Sequence, residues 1–262
     1  MTSRRPALRR SGARKLNPPG RRNTISSVFL SRRRLIASAA RPLLSQAAPY
    51  ALRIVVTGGH PGDPECGCGG TIARYVELGQ EVTLLYLNRG EGFCGGASLD
   101  RCAAIRTAEA EEACRILKAR AVFAGQHDGG AIVDDPHQEA FARLLAAQDP
   151  GVIFTHWPDD THADHRAIAA LTLTAWRDSG RKSALYYYEV AEDTLRFAPD
   201  EYVDITAVES RRRAACYAHA SQQPGKWYPK QVDITRRRGA ESGFTQAEAF
   251  LRHPESRRVQ FP

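Results

Sequence analysis

From about residue 50 onward, runs of consecutive apolar residues alternate with stretches in which apolar positions recur every three or four residues. The first run, Leu52-Arg53-Ile54-Val55-Val56-Thr57, predicts a buried strand over 52–57. Residues 69–79 predict a helix ending at Gly79, and 81–87 (Glu-Val-Thr-Leu-Leu-Tyr-Leu) a second strand. There follow a helix over 101–118, a strand over 120–124, a helix near 136–147, a strand at Val152-Ile153-Phe154-Thr155 and a helix from Asp164 to Ser179. Strands that are apolar throughout are covered on both faces, and strict strand–helix alternation makes neighbouring strands parallel. The pattern therefore predicts a doubly wound, Rossmann-like α/β fold with a mostly parallel sheet in one domain. Past Leu185–Val190 the order loosens, with a strand over 202–205 and helices near 207–221 and 226–241. The domain is expected over 49–251, with 252–262 as a trailing arm.

Charge is distributed unevenly along the chain. The net charge is +8, yet residues 1–50 hold eleven Arg and one Lys and no acidic residue. Removing those twelve positive charges leaves residues 51–262 at −4, so the basic pI gives no argument for nucleic-acid binding by the folded body. Residues 1–48 read as a leader. Within it, Ser31-Arg32-Arg33-Arg34-Leu35-Ile36, a modest apolar stretch and the small residues Ser45 and Ala47 resemble a twin-arginine export signal. That stretch is too short for a stable membrane anchor. The expectation is a periplasmic or extracellular protein, or a cytoplasmic one if the start of the chain is called too early. Six cysteines are compatible with an oxidising compartment, with one disulfide expected among Cys94, Cys102 and the rest.

In doubly wound sheets ligands gather beyond the carboxyl ends of the strands. Two clusters fall there. His60-Pro61-Gly62-Asp63-Pro64-Glu65 follows the first strand, and "FTHWPDDTHADHR" follows the strand ending at Thr155, bringing Asp159, Asp160, His162, Asp164 and His165. His60, Asp63 and His165 make a donor set of two imidazoles and a carboxylate, suited to Zn²⁺ and tolerated by iron, cobalt or manganese, with a position left for water. Taken alone, either cluster also reads as a helix start, with Asp164 as an N-cap. The glycines of "GGHPGDPECGCGG" match neither the dinucleotide fingerprint nor the phosphate loop, and no Gly-x-Ser-x-Gly elbow occurs. Cys66 has no neighbour to lower its pKa and is a poor nucleophile.

The two clusters together resemble the PIG-L/LmbE-like N-acetylglucosaminyl deacetylases, zinc hydrolases of linear amides. The likeness rests on His60-Pro61-Gly62-Asp63, on Gly67-Cys68-Gly69-Gly70-Thr71 and on His162-Ala163-Asp164-His165. It extends to "LNRGEG" (87–92), "RTAEAEEA" (106–113), "HASQ" (219–222) and "AEAF" (247–250). The resemblance implies His60, Asp63 and His165 as metal ligands. It also implies His162 as the group that polarises the carbonyl or protonates the leaving amine, with Asp164 orienting it. A small N-acetylated sugar or conjugate is the implied substrate.

One position departs from that pattern. Where the family carries an Asp as general base, this chain has Gly62. A positioned base contributes about 10²–10⁴-fold, so three readings stand: Asp160 or Glu65 takes over, metal-activated water acts with little base help, or the protein is a metal-dependent carbohydrate-binding protein without turnover. Around the site, Arg106 is expected to reach the substrate or else to pair with Glu109 and Glu112 on its own helix. Trp157 stacks on a sugar ring or packs on its own strand. His127 and Asp128 reach the same sheet edge, with Asp128 as a substrate contact or a turn residue.

Overall fold

The computed structural model describes residues 51–191 and 193–262. The leader and its expected export signal lie outside the described residues. Among the described residues seven strands, β1 (Arg53–Gly58), β2 (Glu81–Tyr86), β3 (Arg120–Phe123), β4 (Val152–His156), β5 (Ala184–Tyr188), β6 (Glu201–Asp204) and β7 (Ala247–Arg252), form one sheet in the order β3-β2-β1-β4-β5-β7-β6. The five strands from β3 to β5 are parallel, and β7 runs antiparallel to both its neighbours. The helices are α1 (Asp63–Glu77), α2 (Leu99–Leu117), α3 (Asp135–Ala146), α4 (Ala163–Asp178), α5 (Glu209–Tyr217) and α6 (Pro224–Ser242).

Alternate strand residues face opposite layers, and both layers are apolar. Ile54, Val56, Leu84, Tyr86, Phe154 and Tyr186 meet α1, α2 and α5 on one side. Val55, Leu85, Ile153 and Leu185 meet Phe141, Leu145, Ile168, Leu171 and Trp176 of α3 and α4 on the other. Burial on both faces is why these strands are continuous apolar runs. The order of strands reverses between β1 and β4: the chain leaves β1 toward β2 on one side and returns through β4 toward β5 on the other. The crevice at that switch point receives the loops after β1 and β4, which carry the two clusters.

Four expectations need correction. The first helix starts at Asp63, six residues before the expected 69, because its glycines serve close packing and do not interrupt the helix. A Cβ on Gly67 would lie 2.3 Å from the Tyr188 ring, and one on Gly70 2.4 Å from Ile205 Cγ2. The helix expected over 207–221 is only α5, flanked by 3₁₀ turns at Thr206–Val208 and Ala220–Gln222. "AEAF" opens an unexpected strand, β7, inserted between β5 and β6. The trailing residues fold back onto the sheet: Val259 N–H donates to Tyr186 Oη (3.0 Å), and Phe261 packs on Tyr186 and Phe250. Cys94 and Cys102 form a disulfide, and Cys66, Cys68, Cys114 and Cys216 are buried free thiols. Among the described residues no helix is long and apolar enough to cross a membrane.

Candidate active site

The chain leaves β1 through Gly58-Gly59 and places His60 two residues before the N-cap of α1. Asp63, the first residue of that helix, turns its carboxylate back to accept the His60 N–H (2.8 Å). Its Oδ2 is the meeting point of the site, with His60 Nδ1 at 3.2 Å, His165 Nε2 at 3.2 Å and His156 Nε2 at 3.4 Å. His165 comes from the first turn of α4, and His156 is the last residue of β4. The two loops thus close on one oxygen.

Each of the two predicted imidazole ligands is held from behind by a carboxylate. His60 Nε2 lies 3.1 Å from Asp164 Oδ2 and 3.1 Å from Asp128 Oδ1, and His165 Nδ1 lies 3.0 Å from Asp160 Oδ1. Such carboxylate–imidazole pairs fix the ring and raise its basicity toward a cation. Burial alone would depress His165, but Asp63 and Asp160 outweigh it and push its pKa up to about 9. His60 is likewise raised against burial by Asp128, Asp164 and Asp63. The same pairs hold Asp63 low despite its burial, and hold Asp164 down to about 2 through His60 and the Gly129 N–H. His156 differs. Burial, reinforced by His165, lowers it to about 4, and its Nε2 accepts from Gly59 N–H (3.2 Å).

Oxygen and imidazole donors arranged in this way fit a zinc-type cation. Donor atoms of His60, His162 and His165 form one set within 4.8 Å of one another, and those of Asp63, His156 and His165 a second. The predicted trio His60, Asp63 and His165 spans these two sets.

His162 is the N-cap of α4, and its Nδ1 accepts the Asp164 backbone N–H (3.2 Å). Its ring lies edge-on to His60 and stacks on His165. Burial and the neighbouring His60 and His165 lower its pKa, so the ring is neutral at neutral pH. With Nδ1 accepting, the proton sits on Nε2.

Several expected roles are redistributed. The Asp164 carboxylate does not reach His162; it takes Asn88 Nδ2 (2.9 Å), Gly129 N–H (2.8 Å) and His60. Asp160 was expected to stand in as base, but its carboxylate is buried behind His165, where it also accepts His162 N–H (2.8 Å) and Thr194 Oγ1 (3.1 Å). Glu65, the other expected base, is buried, and both its oxygens are engaged by Gly62 N–H, Tyr86 Oη and His219 Nε2. Gly62 itself has φ +109°, a conformation that strains any L side chain. Trp157 lies outside the cavity against Tyr187 and Phe197. His127 is exposed and pairs with Glu91, and Glu112 pairs with Arg115 rather than Arg106.

Arg106 and Asp128, two of the expected substrate contacts, lie close to the site. Both line a cavity of about 390 Å³ whose floor carries His60, Asp63, His162 and His165. Arg106 donates to Pro61 O (2.6 Å) and faces Glu109 at 3.6 Å, while its buried Nε and Nη1 make no hydrogen bond. Asp128 Oδ2 accepts Gly92 N–H (2.9 Å), and its pKa is lowered by His60. The cavity also holds residues that the sequence reading passed over, Phe93, Val190, His219 and Trp227. His219 had a signal in "HASQ"; His156 had one as the strand-end residue beside Trp157.

Residues 55–176 match the family model described as PIG-L, GlcNAc-PI de-N-acetylase. The fold is similar to that of a conserved protein from Thermus thermophilus, at 31% identity over 79% of this chain and 97% of that one, with a TM-score of 0.70. It is also similar to N,N'-diacetylchitobiose deacetylase from Pyrococcus horikoshii, at 24% identity over 78% and 84% of the two chains (TM-score 0.69). A third neighbour is the 4-carboxy-2-hydroxymuconate hydratase GalB of Pseudomonas putida, at 22% identity over 80% and 99% (TM-score 0.68). At the latter two identities the likeness is one of fold alone.

Proposed function

The chain belongs to the PIG-L (GlcNAc-PI de-N-acetylase) family, and from that premise we propose that it is a zinc-type metal-dependent hydrolase that removes the acetyl group from an N-acetylated amino sugar or its conjugate. The observation that carries this reading is the convergence of His60 Nδ1 and His165 Nε2, each at 3.2 Å, on one oxygen of Asp63. The other nitrogen of each ring is held by a carboxylate.

A divalent cation would be held by His60, Asp63 and His165 and would supply Lewis acidity for activating water and polarising the acetamide carbonyl. The chain's own groups do the rest. Asp164 and Asp160 keep the two ligand rings in one tautomer. His162, neutral and protonated at Nε2, donates toward the carbonyl oxygen as negative charge develops there. Arg106 and Asp128 position the sugar from the cavity wall. Water adds to the carbonyl carbon, the C–N bond breaks, and acetate and the free amine leave. No carboxylate stands at position 62, and the carboxylates of Asp160 and Glu65 are engaged elsewhere.

The expected compartment is extracytoplasmic. That reading rests on the resemblance of residues 31–36, within the basic leader 1–48, to an export signal, and an exported chain is compatible with the Cys94–Cys102 disulfide. The test of the activity is direct. Purified protein is expected to hold near-stoichiometric zinc and to release acetate from N-acetylglucosaminides. His60→Ala and His165→Ala should lose both. A fully metal-loaded protein that binds the sugar and frees no acetate from a broad N-acyl panel would instead be a carbohydrate-binding protein.

A further inference from the structure

Two of the buried free thiols face each other. Cys66 Sγ, near the start of α1, lies 3.9 Å from Cys216 Sγ of α5, and the Cys216 thiol also donates to Glu65 O (3.4 Å). Tyr228 packs with them, and Trp227, Tyr217 and Val232 complete an apolar cover. The backbone at Cys66 is held in place, its carbonyl accepting Arg212 Nη2 (2.7 Å) and Gln231 Nε2 (2.9 Å). The other two free thiols are placed differently. Cys68 packs in the main core with Ile54 and Val56, and Cys114 Sγ meets Tyr86 Oη (3.8 Å).

The paired sulfurs differ in access. Cys66 lines the cavity that holds His60 and Asp63 and is 7% exposed, whereas Cys216 is 0% exposed and lies outside the lining. A small reagent entering the cavity therefore meets Cys66 first. The contact with Cys216 and burial push the Cys66 thiol up, so its thiolate is scarce near neutral pH and its reactions are slow. Such a thiol is unsuited to attack at every turnover. A single slow oxidation is open to it, and the chain already carries one disulfide at Cys94–Cys102.

We infer that Cys66 and Cys216 are a modification site, a dithiol that a small disulfide reaches through the cavity and converts into a second disulfide tying α1 to α5. The Cys66 thiolate attacks one sulfur of the reagent, forming a mixed disulfide and releasing one thiolate. The Cys216 thiolate then attacks Cys66 Sγ, the mixed S–S bond breaks, and the second reagent thiolate leaves. Two protein thiols are oxidised, one reagent disulfide is reduced, and the two thiol protons end on the two reagent thiols. The sulfurs close from 3.9 Å to about 2 Å, and the Cys216 bond to Glu65 O is given up. The link joins residues 150 apart in sequence, one in the helix that begins with Asp63 and the other in the helix that leads into His219.

The native full chain is to be treated with 2-hydroxyethyl disulfide at mildly alkaline pH and quenched in acid. Its cysteines are then mapped by alkylation in denaturant and by non-reducing peptide mass spectrometry. A Cys66–Cys216 linked peptide is expected, with Cys68 still alkylated and the link reversed by dithiothreitol. Cys216→Ser should stop at the mixed disulfide on Cys66. In Cys66→Ser, Cys216 should react at least roughly 10-fold more slowly than Cys66 does in Cys216→Ser, having lost its route through the cavity. A wild-type Cys66 that stays free while the denatured chain oxidises, or that remains a mixed disulfide without resolving, overturns the inference. So does a Cys216 that reacts as fast without Cys66. If either serine variant fails to fold, the wild-type peptide map still decides.

Discussion

Asp160 and Asp164 are only four residues apart, yet they serve different rings, the first backing His165 and the second backing His60. That geometry separates two roles for Asp160 that its residue type alone leaves mixed. As a brace for His165, its replacement in Asp160→Asn should weaken zinc affinity about 10–100-fold. It should leave kcat within a few-fold once metal is saturating. As a general base it would instead cost about 10²–10⁴-fold in kcat with the metal still tight. Chelator competition followed by kinetics at saturating zinc distinguishes these, and a large kcat loss in the loaded variant would refute the bracing role. The meeting of His60, Asp63 and His165 was legible because all three follow strand ends, His60 in the loop after β1 and Asp63 and His165 in the first turns of α1 and α4. The partner of each ring was not legible, because spacing says which loop a carboxylate is on and not which way it turns. Trp157 shows the same limit: it follows His156 directly, and that one-residue step sends it out of the cavity.

At the scale of elements, α1 decides the geometry, since it begins with Asp63 and its backbone is clamped by side chains from remote parts of the chain. Glu248 of β7 accepts from Gly70 N–H (2.8 Å) and Thr71 N–H (2.7 Å). Arg212 of α5 pairs with Glu248 at 3.0 Å and donates to Cys66 O (2.7 Å). Arg212 and Glu248 are buried. Removing one member strands the other as an uncompensated buried charge, so Glu248→Ala should cost about 3–5 kcal/mol, read from the urea midpoint. A change below ~1 kcal/mol would show that α1 does not depend on the clamp. This dependence explains why the start of α1 is hidden in the sequence. Glycine lowers local helix propensity by about 1 kcal/mol each, and the sequence shows Gly67, Gly69 and Gly70 but not the Arg212, Glu248 and Tyr188 contacts that make them suitable. The α4 start is more legible, falling within a residue of the expected one, but its N-cap is His162 and not Asp164, whose carboxylate turns to Asn88, Gly129 and His60.

Across the whole molecule, the doubly wound fold was legible because burial on both faces leaves strands that are apolar throughout, while β7 and the refolded tail were not, because their partners are set by the finished sheet. The same topology would make metal binding at this site a global event. The proposed ligands from the β1 loop and from α4 meet only in the folded chain, so a cation bound there would stabilise the native state alone. Free zinc at about 100 times its Kd is worth about 2.7 kcal/mol, or roughly 5–10 °C in Tm for a domain of this size. The proton competes for the same place. His165 is raised from 6.5 to about 9 in the metal-free protein, so that proton stabilises the empty site fully below pH 6.5, and its contribution disappears as pH rises through 9. Zinc must displace it, and affinity therefore rises with pH across that interval. Thermal melts of chelator-stripped and zinc-restored protein at fixed free zinc should show a larger Tm difference at pH 8.5 than at pH 6.5. A difference that is flat or shrinks with pH would mean that zinc does not displace the His165 proton, and the two loops would not share one cation.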